Sequence, residues 1–322
     1  MNLQTLADDL SAHPSIRGKL DIAAATRALG LGADKSGQPG DDAAALPRPE
    51  GGWDLFAGEG FIPAFIADDP WFAGWCGAMV NISDIAAMGG RAAALLDAIW
   101  APDAEAARPL LQGLRDAAEA YDVPIVGGHT NLRSPMLGLS VSITGRANSL
   151  ISSFAARPGD ALIAAVDHRG AYRNFDNFCA ALDAPRDRLR SDLALLPELA
   201  EAGLVDAGKD ISQGGIVGTA LMLAECSGCG FEIDVAAVPL PPGVPLVRWL
   251  RSFPSFGFLL SVRPDLADAV CSRFGGRDIT AAVIGRATRI PRVELVHEGA
   301  RATFWDHSSR PYLDLTREPA NA

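Results

Sequence analysis

Apolar and polar positions along this chain follow two periods, and the change from one to the other marks its elements. The runs WDLFAGE (53–59), AAALLDAIWA (92–101), PIVGGHTN (124–131) and LGLSVSITGRA (137–147) are short and apolar, as strands are. Between them, residues about 70–89 and 103–121 repeat apolar positions at helical spacing. The first half therefore predicts two helices over one mixed sheet. Ahead of it, residues 1–30 predict helix leading into the glycine-rich loop GLGADKSGQPGDDAA.

The alternation restarts at ARPGDALIAAVD (156–167), where Pro-Gly marks a turn. Helices are expected near 186–203, 214–227 and 264–274, and strands near 231–238, 256–262, 279–288 and 292–305. The expected fold class is α+β in two domains, 1–150 and 151–322, with no short internal repeat.

Composition narrows the function classes. A chain of 322 residues, 48% of them hydrophobic, has the length and apolar content for two cores. A formal charge of −11 argues against a nucleic-acid or anionic-membrane partner. The N-terminus MNLQTLADDLSAHP lacks the apolar core of a signal peptide, and no run predicts a membrane span. The five cysteines suit a reducing cytoplasm. The single CxxC, Cys226 and Cys229, reads as small residues packed at a helix end rather than a zinc or redox pair.

The informative residues are polar ones out of place. In MVNISDIAAMGG (79–90), Asn81 and Asp84 share one helix face inside an apolar stretch. A buried carboxylate costs several kcal/mol, roughly, unless it is paired or bound to a cation. Asp41 and Asp42 follow Gly40, Glu59 lies between Gly58 and Gly60, His129 follows Gly127 and Gly128, and Asp210 precedes ISQGG. Each alone reads as a cap, a turn residue or a core histidine. Together the carboxylates would repel unless a cation gathered them. Oxygen ligands without a Cys/His framework suit Mg²⁺, which brings phosphates with it. Neither a P-loop nor a strand-following GxGxxG is present, although glycine-rich backbone still offers N–H groups to an anion. Lysine occurs only at 19, 35 and 209, and Lys19 and Lys209 lie near these segments.

GDDAA (40–44), NISDIAAMGG (81–90), VGGHT (126–130) and DISQGG (210–215) together resemble the aminoimidazole ribonucleotide (AIR) synthetase-like superfamily. That superfamily includes thiamine-monophosphate kinases, selenophosphate synthetases and the hydrogenase-maturation carbamoyl dehydratase. The resemblance implies an N-terminal α/β domain that builds a dimeric barrel with a partner's strands, then a C-terminal α/β domain. It implies a homodimer that uses ATP and Mg²⁺ on a small-molecule phosphoryl acceptor. By motif, Asp41, Asp42, Glu59 and Asp84 resemble metal ligands. Gly40, Asp41, Asn81, Gly127, Gly128, His129, Thr130 and Gln213 fall where such proteins hold the nucleotide. Asp210 would orient or deprotonate the acceptor, and Lys19 would contact the γ-phosphate.

The departures bear on chemistry. Thiamine-monophosphate kinases carry GGDT and DxSDG where this chain has GGHT and DISQG, so His129 and Gln213 replace two carboxylates. Fewer or displaced Mg²⁺ ions are expected. Lys19 in RGKLD resembles the N-terminal lysine of selenophosphate synthetases, but Arg17 and Gly18 stand where those carry Cys or Sec. The expected activity is phosphoryl transfer to, or phosphate activation of, an oxygen of a small metabolite. The alternatives are a catalytically reduced ATP-binding subunit or sensor, and thiamine-monophosphate kinase proper.

Overall fold

The structure, a computed structural model, describes residues 2–32, 37 and 39–315. Lys35 and the middle of the glycine-rich loop lie outside the described residues. Contacts gather the chain into two units, one of residues 43–150 with 181–198 and one of residues 1–42, 151–180 and 199–322. The first 42 residues thus group with the second half of the chain.

In the first unit, five strands lie in the order Ala44–Pro47, Trp53–Gly60, Gly138–Ala147, Arg91–Trp100, Ile125–Asn131. Only the last neighbouring pair runs parallel, so the sheet is mixed, as the pattern predicts. Helix Pro70–Ala87 opens with Asp69 accepting the Phe72 N–H and with Pro70 in the first turn. It is buried almost throughout, because it packs on the sheet through Gly77 beside Val141 and Leu139 and also meets helix Ala104–Tyr121. The two helices touch backbone to backbone. A Cβ at Gly74 would stand 2.0 Å from the Leu110 carbonyl oxygen, and one at Gly113 would stand 1.8 Å from that of Trp71. The other sheet face leaves Leu46, Phe56, Leu96 and Trp100 exposed.

The second unit is built on seven strands in the order Ala300–Asp306, Arg292–His297, Gly230–Asp234, Thr280–Thr288, Ala161–Val166, Gly257–Val262, Ala207–Asp210. Strands Ala161–Val166 and Gly257–Val262 are buried along their whole length, in keeping with sequences that are apolar except for Ser261, whose hydroxyl donates to Asp160 Oδ2 at 2.9 Å. Helix Gly215–Ser227 supplies much of this core. A small sheet of Phe253–Pro254, Asn177–Cys179 and Ala171–Tyr172 was not expected from the pattern.

Three expected elements divide. The N-terminal helix breaks into Leu3–Ala12, Pro14–Arg17 and Ile22–Ala28, since Pro14 has no N–H to continue the first helix and His13 caps the second. The strand expected over 292–305 is a hairpin whose turn sets Glu298 and Gly299 at positive φ. The helix expected over 186–203 is Arg186–Leu193 followed by Leu195–Glu201. No helix of the described residues is long and apolar enough to cross a membrane.

Candidate functional site

Strand Ala207–Asp210 forms one edge of the seven-stranded sheet, paired to Gly257–Val262, and it delivers Lys209 and Asp210 to the segment 40–42. Lys209 Nζ donates to Asp42 Oδ1 at 2.5 Å and to the Gly40 carbonyl at 3.2 Å. The Asp210 N–H donates to Asp42 Oδ2 at 3.0 Å, and the two carboxylates bring oxygens within 4.8 Å of each other. Asp41 takes the other direction. Its oxygens accept from the Ser152 hydroxyl at 2.8 Å and from the Ser153 N–H. Gly40 makes this split possible. Its φ is +119°, and a Cβ there would press on Cys226 Sγ and Phe154 Cζ, each at 3.0 Å.

Burial works against the Lys209 ammonium, but the charges of Asp42 and then Asp210 overcome it and raise its pKa. For Asp210, burial comes first and Asp42 second, and both push its pKa well up against the opposing pull of Lys209 and Lys19. Asp41 is raised by burial, which the Ser153 N–H and Lys209 only partly offset. Three acids thus share one buried lysine, an arrangement that favours a further cation. Lys19 Nζ donates to Ser212 Oγ at 3.3 Å, in the turn that follows Asp210. Gln213 in that turn is exposed, and Gly214 and Gly215 carry the chain at positive φ into the next helix. Cys226 and Cys229 are free and buried, and burial pushes the Cys229 thiol up to about 12. These are packed thiols, not nucleophiles.

In the other unit, Asn81 and Asp84 are both buried on helix Pro70–Ala87. Asn81 Nδ2 donates to the Gly77 carbonyl at 2.8 Å, while its Oδ1 has no hydrogen-bond partner among the described residues. Strand register aligns Glu59, Val141, Asp97 and Gly128 in one row across the sheet. Asp97 follows the parity of Leu95 and Ile99, both fully buried, and burial raises its pKa. A Cβ at Gly128 would stand 1.9 Å from Asp97 Oδ1, so the glycine is what leaves room for the carboxylate. His129 pairs with Ala98 and takes the opposite face from Asp97, while Thr130 pairs with Ile99. Gly127 to Thr130 lie on an exposed edge strand.

Asp97 is the functional candidate that sequence reasoning missed. The signal was there, as the only acid in an apolar strand on the buried parity. Mg²⁺ fits the groups of each unit taken by itself. Asp42 and Asp210 are hard oxygen donors around one buried lysine, and in the other unit Asp84 and Asp97 are hard oxygen donors on elements that include an orphaned buried acceptor on Asn81.

Residues 40–147 match the N-terminal domain, and residues 182–298 the C-terminal domain, of the AIR synthase related proteins. An uncharacterized protein of Synechocystis sp. is 45% identical over 86% of each chain. A thiamine-monophosphate kinase of Synechococcus elongatus is 30% identical over 80% of this chain and 86% of that one. The structure of T. maritima PurL complexed with ATP superposes with a TM-score of 0.73 at 17% identity, over 100% of this chain. This chain spans about half of that PurL, 53% of its length, and the likeness speaks for the two-domain fold alone. The chain belongs to the AIR synthase related protein family.

Proposed function

We propose that the protein is an ATP- and Mg²⁺-dependent enzyme that transfers phosphoryl to, or activates by phosphorylation, an oxygen of a small metabolite. The observation that carries this reading is the buried Asp42–Lys209–Asp210 cluster. A structural ion pair needs one acid for one lysine. Here a second acid with a raised pKa stands beside the pair, as a proton-accepting group in a sealed site would. Asp210 orients the acceptor oxygen or takes its proton. Lys209 and Lys19 are cations that offset phosphate charge. Within this unit Asp42 would hold Mg²⁺, and within the other, taken by itself, Glu59, Asp84 and Asp97 would do so; the ion supplies charge neutralisation to phosphates. Asn81 supports Asp84. Asp41, with both oxygens on residues 152 and 153, fixes the position of Asp42. In this unit Gly40 and Gln213 are the nucleotide-binding candidates, and in the other Gly127, Gly128, His129 and Thr130 are. The thiamine-monophosphate kinase among the relatives and the ATP complex of PurL support the use of ATP.

A second reading is an ATP-binding subunit with reduced turnover. It is favoured by the exposed imidazole of His129 and the exposed amide of Gln213, where the kinase motif has carboxylates. A screen of ADP release from Mg²⁺-ATP across hydroxyl- and acid-bearing metabolites separates the two. The enzyme reading expects an acceptor-dependent signal that Asp210→Asn lowers about 100-fold or more, with Mg²⁺-ATP binding retained. ATP binding without ADP release across the whole panel favours the second reading, and full turnover by Asp210→Asn removes that residue from the chemistry.

A further inference from the structure

The second unit carries a group of arginines that the proposed chemistry does not use. Arg248 Nε donates to Asp176 Oδ1, and Arg251 Nε to Asp176 Oδ2, each at 3.1 Å. Arg248 also donates to the Phe175 carbonyl at 2.9 Å, and its guanidinium lies 3.5 Å from the centre of the Tyr172 ring. The Tyr172 hydroxyl is 2.5 Å from Ser252 Oγ, which fixes that ring in turn. One carboxylate therefore serves two guanidiniums, and a positive charge is left over. The terminal nitrogens of Arg251 make no hydrogen bond among the described residues, and its side chain is 26% exposed. Two planar forks are thus held in fixed positions with donors to spare, an arrangement suited to a carboxylate or phosphate.

The loop that holds them is strained. Asn174 and Phe175 are consecutive non-glycine residues at φ 39° and 55°. Left-handed backbone is unfavourable for a bulky side chain such as that of Phe175. What the strained turn does is aim the Phe175 carbonyl and the Asp176 carboxylate at the arginines. Strain kept at an exposed loop, for the sake of placing charged groups, is a mark of recognition.

The position fits the site already described. Gly215 lies directly on Arg251, since a Cβ there would stand 2.4 Å from Arg251 Cα, and the Val217 N–H donates to the Leu250 carbonyl at 3.2 Å. The turn 211–215 that begins after Asp210 therefore ends against Arg251. His13 faces the same group, and its pKa is lowered by burial and then by the Arg251 charge, against a smaller pull from Asp176.

We propose that Arg248 and Arg251 form an anion-recognition subsite that takes a carboxylate or phosphate carried by the small metabolite on which the protein acts. Calling that metabolite the phosphoryl acceptor rests on the function proposed above, whereas the binding of an anion between these arginines does not.

The test is calorimetric titration of the full chain with inorganic phosphate and, separately, with succinate. It compares the parent, Arg251→Gln and Arg251→Lys, and Mg²⁺-ATP binding is measured on the same samples. The parent is expected to bind at least one probe, and which one tells phosphate from carboxylate recognition. Arg251→Gln should weaken that binding about ten-fold or more and leave Mg²⁺-ATP affinity unchanged. Arg251→Lys keeps a charge beside Asp176, and with it the fold, but loses the fork, so it should fall between the two. A parent that binds neither probe overturns the proposal. So do variants that bind the probe like the parent, which would make the arginines a staple for the loop and nothing more. Anion binding without Mg²⁺-ATP binding would leave this subsite standing and remove the enzyme reading.

Discussion

Lys209 Nζ lies 2.5 Å from Asp42 Oδ1, and the two side chains are only 6% and 4% exposed. A buried pair of this kind adds little net stability, yet breaking it leaves a charge stranded away from water. Lys209→Met should therefore destabilise the protein by about 3–5 kcal/mol, because Asp42 and Asp210 then face each other without their shared cation. Adding Asp42→Asn to that variant should recover much of the loss, since both charges are gone and the Asp210 N–H keeps an acceptor. Thermal melts of the two variants decide this. A Lys209→Met protein that melts with the parent would show that the ammonium has no part in holding this unit together.

Acid sensitivity should come in part from His307. Both ring nitrogens lack a hydrogen-bond partner among the described residues, and burial lowers the pKa to about 4 against a weaker upward pull from Asp306. Glu225, 3.9 Å away, is already engaged by the N–H groups of Tyr312 at 2.6 Å and Leu313 at 2.5 Å. The unfolded chain takes a proton below about pH 6.5, and the folded chain refuses it until about pH 4. The contribution of neutral His307 is thus complete above pH 6.5 and is lost as pH falls toward 4, by up to about 3 kcal/mol. Raised carboxylates such as Asp41, Asp210 and Glu225 act in the opposite sense, so the informative quantity is a difference. His307→Leu should lose less stability than the parent between pH 7 and pH 5. Parallel melting curves for the two proteins would rule the histidine out.

Elements were legible where one period ran unbroken between turn residues. Helix Pro70–Ala87 stops at Met88 and Gly89 because glycine takes positive φ there, and the buried polar pair Asn81 and Asp84 was visible as an exception to its apolar run. What stayed hidden depends on partners distant in sequence. Asp97 stands out locally as an acid on the buried parity, but the room for it comes from Gly128 on a parallel neighbour, and that pairing leaves no local signal. Asp41 is held by Ser152 and Ser153, 111 and 112 positions away, so GDD alone reads as two equivalent acids. Arg248 and Arg251 meet Asp176 from 72 and 75 positions away. The hairpin 292–306 was read as one strand because Glu298-Gly299 is a weaker turn signal than Asn-Gly.

The open face of the five-stranded sheet predicts self-association. Phe56, Leu96 and Trp100 are 45%, 46% and 39% exposed, and they share a face with the serines and threonine of the central strand. An apolar sheet face of this kind is rare on a monomer, and a second copy of the same sheet matches its chemistry. Sedimentation at micromolar concentration should find a dimer. Leu96→Glu should shift it to monomer with the fold intact, because the side chain already meets solvent. A monomeric parent would retire the dimer and the barrel expected from it.

Asp84→Asn tests the residue that first stood out in the sequence. The change is nearly isosteric, so the buried packing of helix Pro70–Ala87 should survive while one negative charge leaves the proposed Mg²⁺ ligands. If Asp84 is a ligand, affinity for Mg²⁺-ATP should drop about ten-fold or more, equivalent to about 1.4 kcal/mol. Stability without ATP should hold or rise, since carboxylates gathered without a cation repel. A carboxylate that serves only structure predicts the reverse, with easier unfolding through a lost internal hydrogen bond and ATP binding barely altered. Calorimetric titration beside a thermal melt separates these outcomes. A ligand role lowers affinity and spares stability, whereas a structural role lowers stability and spares affinity, so a destabilised variant that binds Mg²⁺-ATP like the parent would take Asp84 out of the metal site.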